Sequence, residues 1–287
     1  MQDIHILGTG AMASLWGSYF SPDTQLQFIT RSTTSTEYHY RVQPDGKEIK
    51  GTCINASQAK DIAYLIVATK AFDALGAIES VQTGITQKTE ILVLQNGMGS
   101  QQAIANQFPN NRVYACSSTE GAYKSSKTEL VHAGKGINTI GALTPSATSM
   151  SLTKWLLPCH FEWHEDIQTV LWRKLVVNSA INPLTVLYDC QNGQLLENQS
   201  AMTLMSELCE EMDRLTAALD IDISNSLVLA TEVCKRTANN YSSMYQDAKH
   251  NRQTEIDYIT GYLIQQFKQQ KILCPKHEWV YGQIKRT

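Results

Sequence analysis

Lys174, Asn178 and Asn182 recur every four residues in the stretch KLVVNSAINPLTVL. Positions four apart on a helix lie about 40 degrees apart around its axis, so these side chains form one slightly spiralling stripe. An ammonium can anchor an anion or donate a proton, and amides can orient a neighbouring group. Leu175, Val176, Val177, Ala180 and Ile181 occupy most of the remaining circumference. Burying an amide without a partner costs roughly 2 kcal/mol or more, and a charge costs more, so the stripe calls for a cleft or other polar groups. A lysine reaching solvent beside two asparagines that cap neighbouring backbone satisfies the same spacing. Pro183 follows directly, and its missing N–H predicts that the helix stops or kinks there.

A second group of residues lies in GTGAMAS. Gly8 permits a tight turn after an apolar strand, and Gly10 lets the backbone approach a pyrophosphate. The amides of the Gly8, Thr9, Gly10, Ala11 and Met12 segment then face that charge at a helix start. Ala13 replaces the usual third glycine and is still small enough for close packing of helix on sheet. A tight strand-to-helix turn with no ligand is the plain alternative. Strand two ends in Arg31, where a carboxylate would favour the ribose hydroxyls of NAD. A guanidinium there can instead pair with the 2'-phosphate of NADP, with Ser32, Thr33 and Thr34 as further donors. This reading selects NADPH/NADP+ as cofactor.

Lys70 ends the third apolar strand in VATKAFD, and Asn96 and Gly97 end the fourth in VLQNGMG. The carboxyl ends of strands in an open parallel sheet form the crevice where dinucleotides bind. A surface lysine and an Asn-Gly turn are the structural alternatives. Further along, SSMYQDAKHNRQTEIDYITGYL holds Ser243 in a short polar stretch and Glu255 after a capping Thr254. A glutamate in a first helical turn interacts favourably with free amides and needs no function. Serine and glutamate could equally bind the carboxylate and hydroxyl of a small polar substrate.

The elements that must position these residues change character along the chain. DIHILG, LQFITR, IAYLIVATK and EILVLQNG are largely apolar, as strands buried on both faces are, and AMASLWGSYF and the later intervening segment supply helices. That is the pattern of a Rossmann-type, doubly wound parallel sheet. From Arg112 onward, Thr, Ser and Gly turns separate short extended runs that add strands and hairpins. A turn at TPSATSMS precedes a helix through Trp155, and FEWH is extended. Beyond Asp166 the pattern is helical, including MTLMSELCEEMDRLTAALD and TEIDYITGYLIQQFKQQ. The expected domains are therefore residues 1–165, binding the cofactor, and 166–287, an all-helical domain.

The 287 residues carry 24 Lys plus Arg against 27 Asp plus Glu, a net charge of -3, which disfavours nucleic acid as main partner. MQDIHILGTG lacks the basic leader and apolar core of a secretory signal, and no run suits a membrane span, so the expected location is the cytoplasm. Seven widely spaced cysteines without a CxxC pair read as reduced core thiols. Cys159, His160 and His164 lie close in CHFEWH, but Pro158, Phe161 and Trp163 favour an extended packed segment, and no metal is expected. The apolar face of MTLMSELCEEMDRLTAAL suits a domain core or a dimer contact, so both monomer and homodimer stay open.

GTGAMAS, ATKAFD, QNGMG, WRKLVVNSAINPLT and SSMYQD followed by TEIDYITGYL, in this order over nearly the whole chain, resemble the ketopantoate reductase family. The resemblance implies an N-terminal Rossmann domain and a C-terminal helical domain with the substrate and NADPH meeting between them. It implies reduction of 2-dehydropantoate, a small 2-oxo acid, to (R)-pantoate in pantothenate biosynthesis. Carried over motif by motif, Gly8 and Gly10 match the pyrophosphate turn, Arg31 the 2'-phosphate group, and Lys70 and Asn96 residues near the nicotinamide. Lys174 matches the proton donor, Asn178 and Asn182 the substrate-side amides, Ser243 the carboxylate-binding serine, and Glu255 a glutamate touching substrate and cofactor. Two other functions are compatible with the same residues: an NADPH-dependent reductase of another small 2-oxo acid, and a non-catalytic NADPH-binding regulatory protein.

Overall fold

In the computed structural model, residues 2–31, 37–157, 161–223 and 225–286 are described. Ser32, Thr33 and Thr34, expected as phosphate donors, and Cys159 and His160 of the weighed metal motif lie outside them. The chain divides into two compact units, Met1–Gln95 with Ser100–Ile167, and Asn96–Gly99 with Gln168–Thr287.

The first unit is built on strand β1 (Gln2–Leu7), helix α1 (Ala11–Gly17), β2 (Thr24–Ile29), β3 (Glu37–Gln43) and β4 (Lys47–Ile54). These are followed by β5 (Ile62–Val67), α2 (Ala71–Ser80), β6 (Ile85–Val93), α3 (Ser100–Gln107) and β7 (Arg112–Ser118). β8 (Gly121–Ser126), β9 (Glu129–Gly134), β10 (Asn138–Ala142) and β11 (Phe161–Trp163) complete it. Among the described residues, the strands form one sheet in the order β11-β10-β7-β6-β5-β1-β2-β4-β3-β9-β8. The centre, from β7 to β4, is parallel throughout. Its strands carry continuous apolar runs because both faces are covered: Ile4, Ile6, Leu65, Ile66, Val67, Ile91 and Val93 are fully shielded from water. The expected parallel sheet is thus the centre of a mixed one, since β3 with β4, β8 with β9, and β7 with β10 pair antiparallel.

Two elements differ from expectation. The β3–β4 hairpin was not anticipated, although Pro44, Asp45 and Gly46, with Gly46 at φ +65°, are ordinary turn chemistry between the two strands. The helix expected through Trp155 is a short 3-10 turn, Ser151–Trp155. The buried Glu90 carboxylate fastens it, accepting from the Ser151 amide at 3.1 Å, the Ser151 hydroxyl at 2.7 Å and the Leu152 amide at 3.0 Å. Arg112 on the adjacent strand lies 3.0 Å from the same group, so the buried charge has both a counter-ion and hydrogen-bond donors.

The second unit is helical: α4 (Ile167–Leu187), α5 (Gln194–Glu197), α6 (Gln199–Ala218), α7 (Ser226–Arg236), α8 (Ser243–Lys249), α9 (Thr260–Gln270) and α10 (Pro275–Ile284). α6 is its axis and touches α5, α7, α9 and α10. Leu204, Met205, Leu208, Met212 and Leu215 recur at helical spacing on its buried face, so that face is core. No helix among the described residues is long and apolar enough to cross a membrane. Described cysteines are free thiols, with Cys116, Cys209, Cys234 and Cys274 buried.

Of the stop or kink expected at Pro183, the stop does not occur: α4 continues to Leu187. Proline removes one donor from the ladder, a cost of about 3 kcal/mol in an isolated helix. Here Ala180, Ile181, Leu184 and Thr185 on either side are buried, and packing of that turn outweighs the lost bond.

Buried titratable groups make the fold sensitive to acid. The Glu211 carboxylate of α6 accepts from the Lys276 amide at 2.9 Å, the His277 amide at 3.1 Å and lies 2.7 Å from the His277 ring. Burial pushes the His277 imidazole below its ordinary value, and Glu211 only partly opposes this. His5 in β1 is lowered in the same way, with burial outweighing Asp3. Burial alone would raise Glu211, but the His277 ring and the two amides together hold it below the usual carboxylate range. The unfolded histidines take up protons near about pH 6.5, where the folded ones do not, so stability falls as pH drops through that value. The Glu211 contribution is present above about pH 4.3 and is lost as pH falls through its lower folded value. Urea midpoints are therefore expected to decrease from about pH 7.5 to about pH 5.5, with a shallower slope in His277→Gln. Identical slopes in the two proteins would contradict the assignment.

Candidate active site

The glycine turn sits between β1 and α1 in the first unit. Gly8 has φ +102°, and a Cβ placed there would stand 3.4 Å from Thr69 Cγ2 and 3.5 Å from the Ala68 carbonyl. A side chain at Gly8 is therefore opposed by backbone conformation, whereas a Cβ at Gly10 would meet nothing within 4 Å. Gly10 is the N-cap of α1 and supplies no side-chain cap, so among the described residues the first amides, at Ala11 and Met12, start the helix open to an external acceptor. The Thr9 carbonyl takes a hydrogen bond from the Tyr38 hydroxyl at 3.4 Å, and the same hydroxyl is 2.8 Å from Ser14 Oγ. Tyr38, on the unforeseen hairpin, thus supports the turn from outside.

Arg31 follows β2, its side chain 86% exposed, with Nη2 2.6 Å from Asp73 Oδ2 in the first turn of α2. Lys70 is the half-buried N-cap residue of α2. Gln95, beyond the end of β6, donates to the Val67 carbonyl at 2.8 Å and the Thr69 carbonyl at 3.1 Å, tying the ends of β5 and β6 together. Its own Oε1, like Thr69 Oγ1, is buried without a hydrogen-bond partner among the described residues. An open Gly10, an uncapped helix start, a guanidinium at the end of β2 and orphaned polar atoms at the strand ends fit a phosphate-bearing dinucleotide.

The other candidate residues lie in the second unit. Lys174 Nζ donates to Asn96 Oδ1 at 2.7 Å, across 78 positions of sequence. Asn96 belongs to this unit because residues 96–99, which continue β6, pack with the helices. Asn178 is half-buried one turn beyond Lys174, and Asn182 is buried one turn further. The Lys174 end of the stripe is thus paired and its Asn182 end buried, so it is not a solvated face. Thr185, just beyond it, donates to the Asn182 carbonyl at 2.7 Å and is 2.7 Å from Ser242 Oγ.

Ser242, not its neighbour, is the N-cap of α8, accepting from the Tyr245 amide at 3.0 Å. Ser243 is the first helical residue and is exposed. Sequence alone could not separate the two members of the SSMYQD pair, because either hydroxyl can cap a helix. Asp247 within α8 accepts from Arg252 Nε at 3.1 Å, which folds the following polar segment back before Glu255.

Glu255 is 5% exposed, but its setting differs from the expected first turn of a long helix. It precedes a 3-10 turn, Ile256–Tyr258, and the α-helical ladder resumes only at Thr260. The Tyr258 carbonyl at the end of this turn accepts from the distant Met98 amide at 2.8 Å. Asp257 is held separately by the Tyr281 hydroxyl at 2.6 Å and by Lys285. Among the described residues, no three His, Cys, Asp or Glu side chains are grouped to hold a metal ion.

Gly8, Thr9, Gly10, Ala11, Met12, Arg31 and Lys70 therefore lie in the sheet unit, and Asn96, Lys174, Asn178, Asn182, Ser243 and Glu255 in the helical one. The family model described as ketopantoate reductase PanE/ApbA matches residues 4–145, and that described as ketopantoate reductase PanE/ApbA C terminal matches residues 166–287. The chain is 30% identical to the 2-dehydropantoate 2-reductase of Vibrio cholerae over 99% of its length and 97% of the relative's. A crystal structure of a probable 2-dehydropantoate 2-reductase from Bacillus subtilis is 28% identical, with a TM-score of 0.82 and 99% of each chain covered. D-mandelate dehydrogenase, solved with NADH and anilino(oxo)acetate, shares the fold at a TM-score of 0.88 and 22% identity, over 99% of this chain and 97% of that one.

Proposed function

The chain belongs to the ketopantoate reductase family, and from that membership we propose that it reduces 2-dehydropantoate to (R)-pantoate with NADPH, using Lys174 as the acid. The observation that carries the assignment of the acid is the 2.7 Å bond between Lys174 Nζ and Asn96 Oδ1. It fixes one donor direction of the ammonium and so orients the group that would meet the substrate oxygen.

Bound NADPH supplies the hydride for C2 of the 2-oxo acid. The Lys174 ammonium stabilises the charge that develops on the C2 oxygen and gives that oxygen its proton. Asn96 holds the lysine's direction, and Asn178 and Asn182 extend the polar line along α4 for the substrate. Ser243 takes the carboxylate, and Glu255 accepts from the hydroxymethyl group. Residues 1–165 bind the cofactor: the segment Gly8, Thr9, Gly10, Ala11 and Met12 receives the pyrophosphate, Arg31 the 2'-phosphate, and Lys70 the nicotinamide side. Residues 166–287 bind the substrate. This reading places the enzyme in the cytoplasm as a monomer or homodimer.

Purified protein mixed with NADPH and ketopantoate is expected to show steady loss of nicotinamide absorbance, much slower with NADH. NADPH binding without turnover of any 2-oxo acid would point to a regulatory protein. 2-Oxoisovalerate, which lacks the hydroxyl, leaves polar groups of the site unpaired and should be a far poorer substrate. Equal efficiency with the two acids would overturn the specificity assigned to Glu255.

A further inference from the structure

Asn96 can direct Lys174 only if its own backbone is held, and the contacts of the next two residues provide the hold. Gly97 has φ +77°, and a Cβ built on it would stand 2.3 Å from the Tyr258 carbonyl oxygen and 2.7 Å from its carbon. The Met98 amide donates to that same oxygen at 2.8 Å. The turn carrying Asn96 therefore lies directly on the backbone of the 3-10 turn that begins after Glu255, closer than any side chain at position 97 allows. Gly99, at φ +104°, has the Tyr262 ring 3.4 Å from where its Cβ would be. One backbone junction thus orders two parts of the helical unit, the Asn96–Lys174 pair and the Glu255 turn.

We propose that Gly97 is a positioning residue for the reduction: its missing side chain lets the turn seat on the Tyr258 carbonyl, and that seat aims Asn96 at Lys174. The inference rests on the proposed role of Lys174 as acid. Sequence marks Gly97 only as half of an Asn-Gly turn, which asks for positive φ and says nothing of what lies against it. The close approach to Tyr258 is the added requirement.

In Gly97→Ala the turn must lift from Tyr258, and misplacement of a catalytic group by even a fraction of its bond length is costly. The expected result is a fall in kcat of at least about tenfold, with NADPH affinity within about threefold of the parent. Because the effect runs through Asn96, adding Gly97→Ala to Asn96→Ala should lower kcat by less than about twofold more. A second variant, with Met98 replaced by its α-hydroxy analogue, exchanges the N–H that reaches Tyr258 for an ester oxygen and should lower kcat about fivefold without a new side chain. In both variants the Lys174 ε-carbon resonance is expected to move toward its position in Asn96→Ala. That readout needs no turnover, so a parent inactive on ketopantoate would defeat the proposed reaction while the resonance still tests the seat. Equal kcat losses in the parent and Asn96→Ala backgrounds, or an unmoved Lys174 resonance in the α-hydroxy variant, would overturn the proposal.

Discussion

Lys174→Ala is expected to cut kcat about a thousandfold while leaving NADPH affinity within about threefold, because positioned proton transfer contributes roughly a hundredfold to ten-thousandfold. The effect should appear in kcat and kcat/KM together, as it does when the lost interaction belongs to the transition state. Lys174→Arg separates charge from proton supply. A guanidinium keeps the positive charge but does not release its proton in the working pH range, so this variant should bind substrate and turn over slowly. Small primary amines added to Lys174→Ala should restore part of the rate. If Lys174→Ala retained a kcat within about fivefold of the parent, a different group would have to supply the proton. Asn96→Ala should give a smaller loss in the same parameter, since it loosens the 2.7 Å partner of Lys174 and leaves the acid in place.

Arg31→Ala is expected to weaken NADPH binding about tenfold to a hundredfold and to leave NADH binding nearly unchanged, since only NADPH carries the 2'-phosphate that a guanidinium recognises. The pairing with Asp73 at 2.6 Å refines this expectation. With its side chain 86% exposed, Arg31 exchanges one partner for another without a large desolvation cost, and Asp73 competes with the phosphate. Asp73→Asn should therefore tighten NADPH modestly, and more so at low salt, where an exposed charge is least screened. Titrations of both nucleotides by nicotinamide fluorescence read all of these effects. An equal loss for NADPH and NADH in Arg31→Ala would assign the arginine to the fold or the pyrophosphate and not to the 2'-phosphate.

The sequence by itself determined the features that depend on local pattern. Continuous apolar runs identify β1, β2, β5 and β6, because strands covered on both faces have no polar side to display. Gly8 and Gly10 identify a turn whose backbone must be bare, and four-residue spacing places Lys174, Asn178 and Asn182 on one face of α4. The shift to helical pattern beyond Asp166 was equally legible.

Tertiary structure alone decided which of these local features meet. Asn96 and Lys174 are 78 residues apart, and no periodicity within either segment specifies their bond. Pro183 reads locally as a helix stop or kink, yet burial of its neighbours carries α4 on to Leu187. Thr254 and Glu255 read as a helix start, yet a 3-10 turn stands there, its Tyr258 carbonyl bonded to the distant Met98 amide. Ser242 caps α8 while Ser243 is exposed, a choice made by packing around a pair of identical side chains. The physical reason is common to all four: a hydrogen bond or buried contact supplied by a distant segment competes with local preferences worth about 1 to 3 kcal/mol, and its partner is absent from the local sequence.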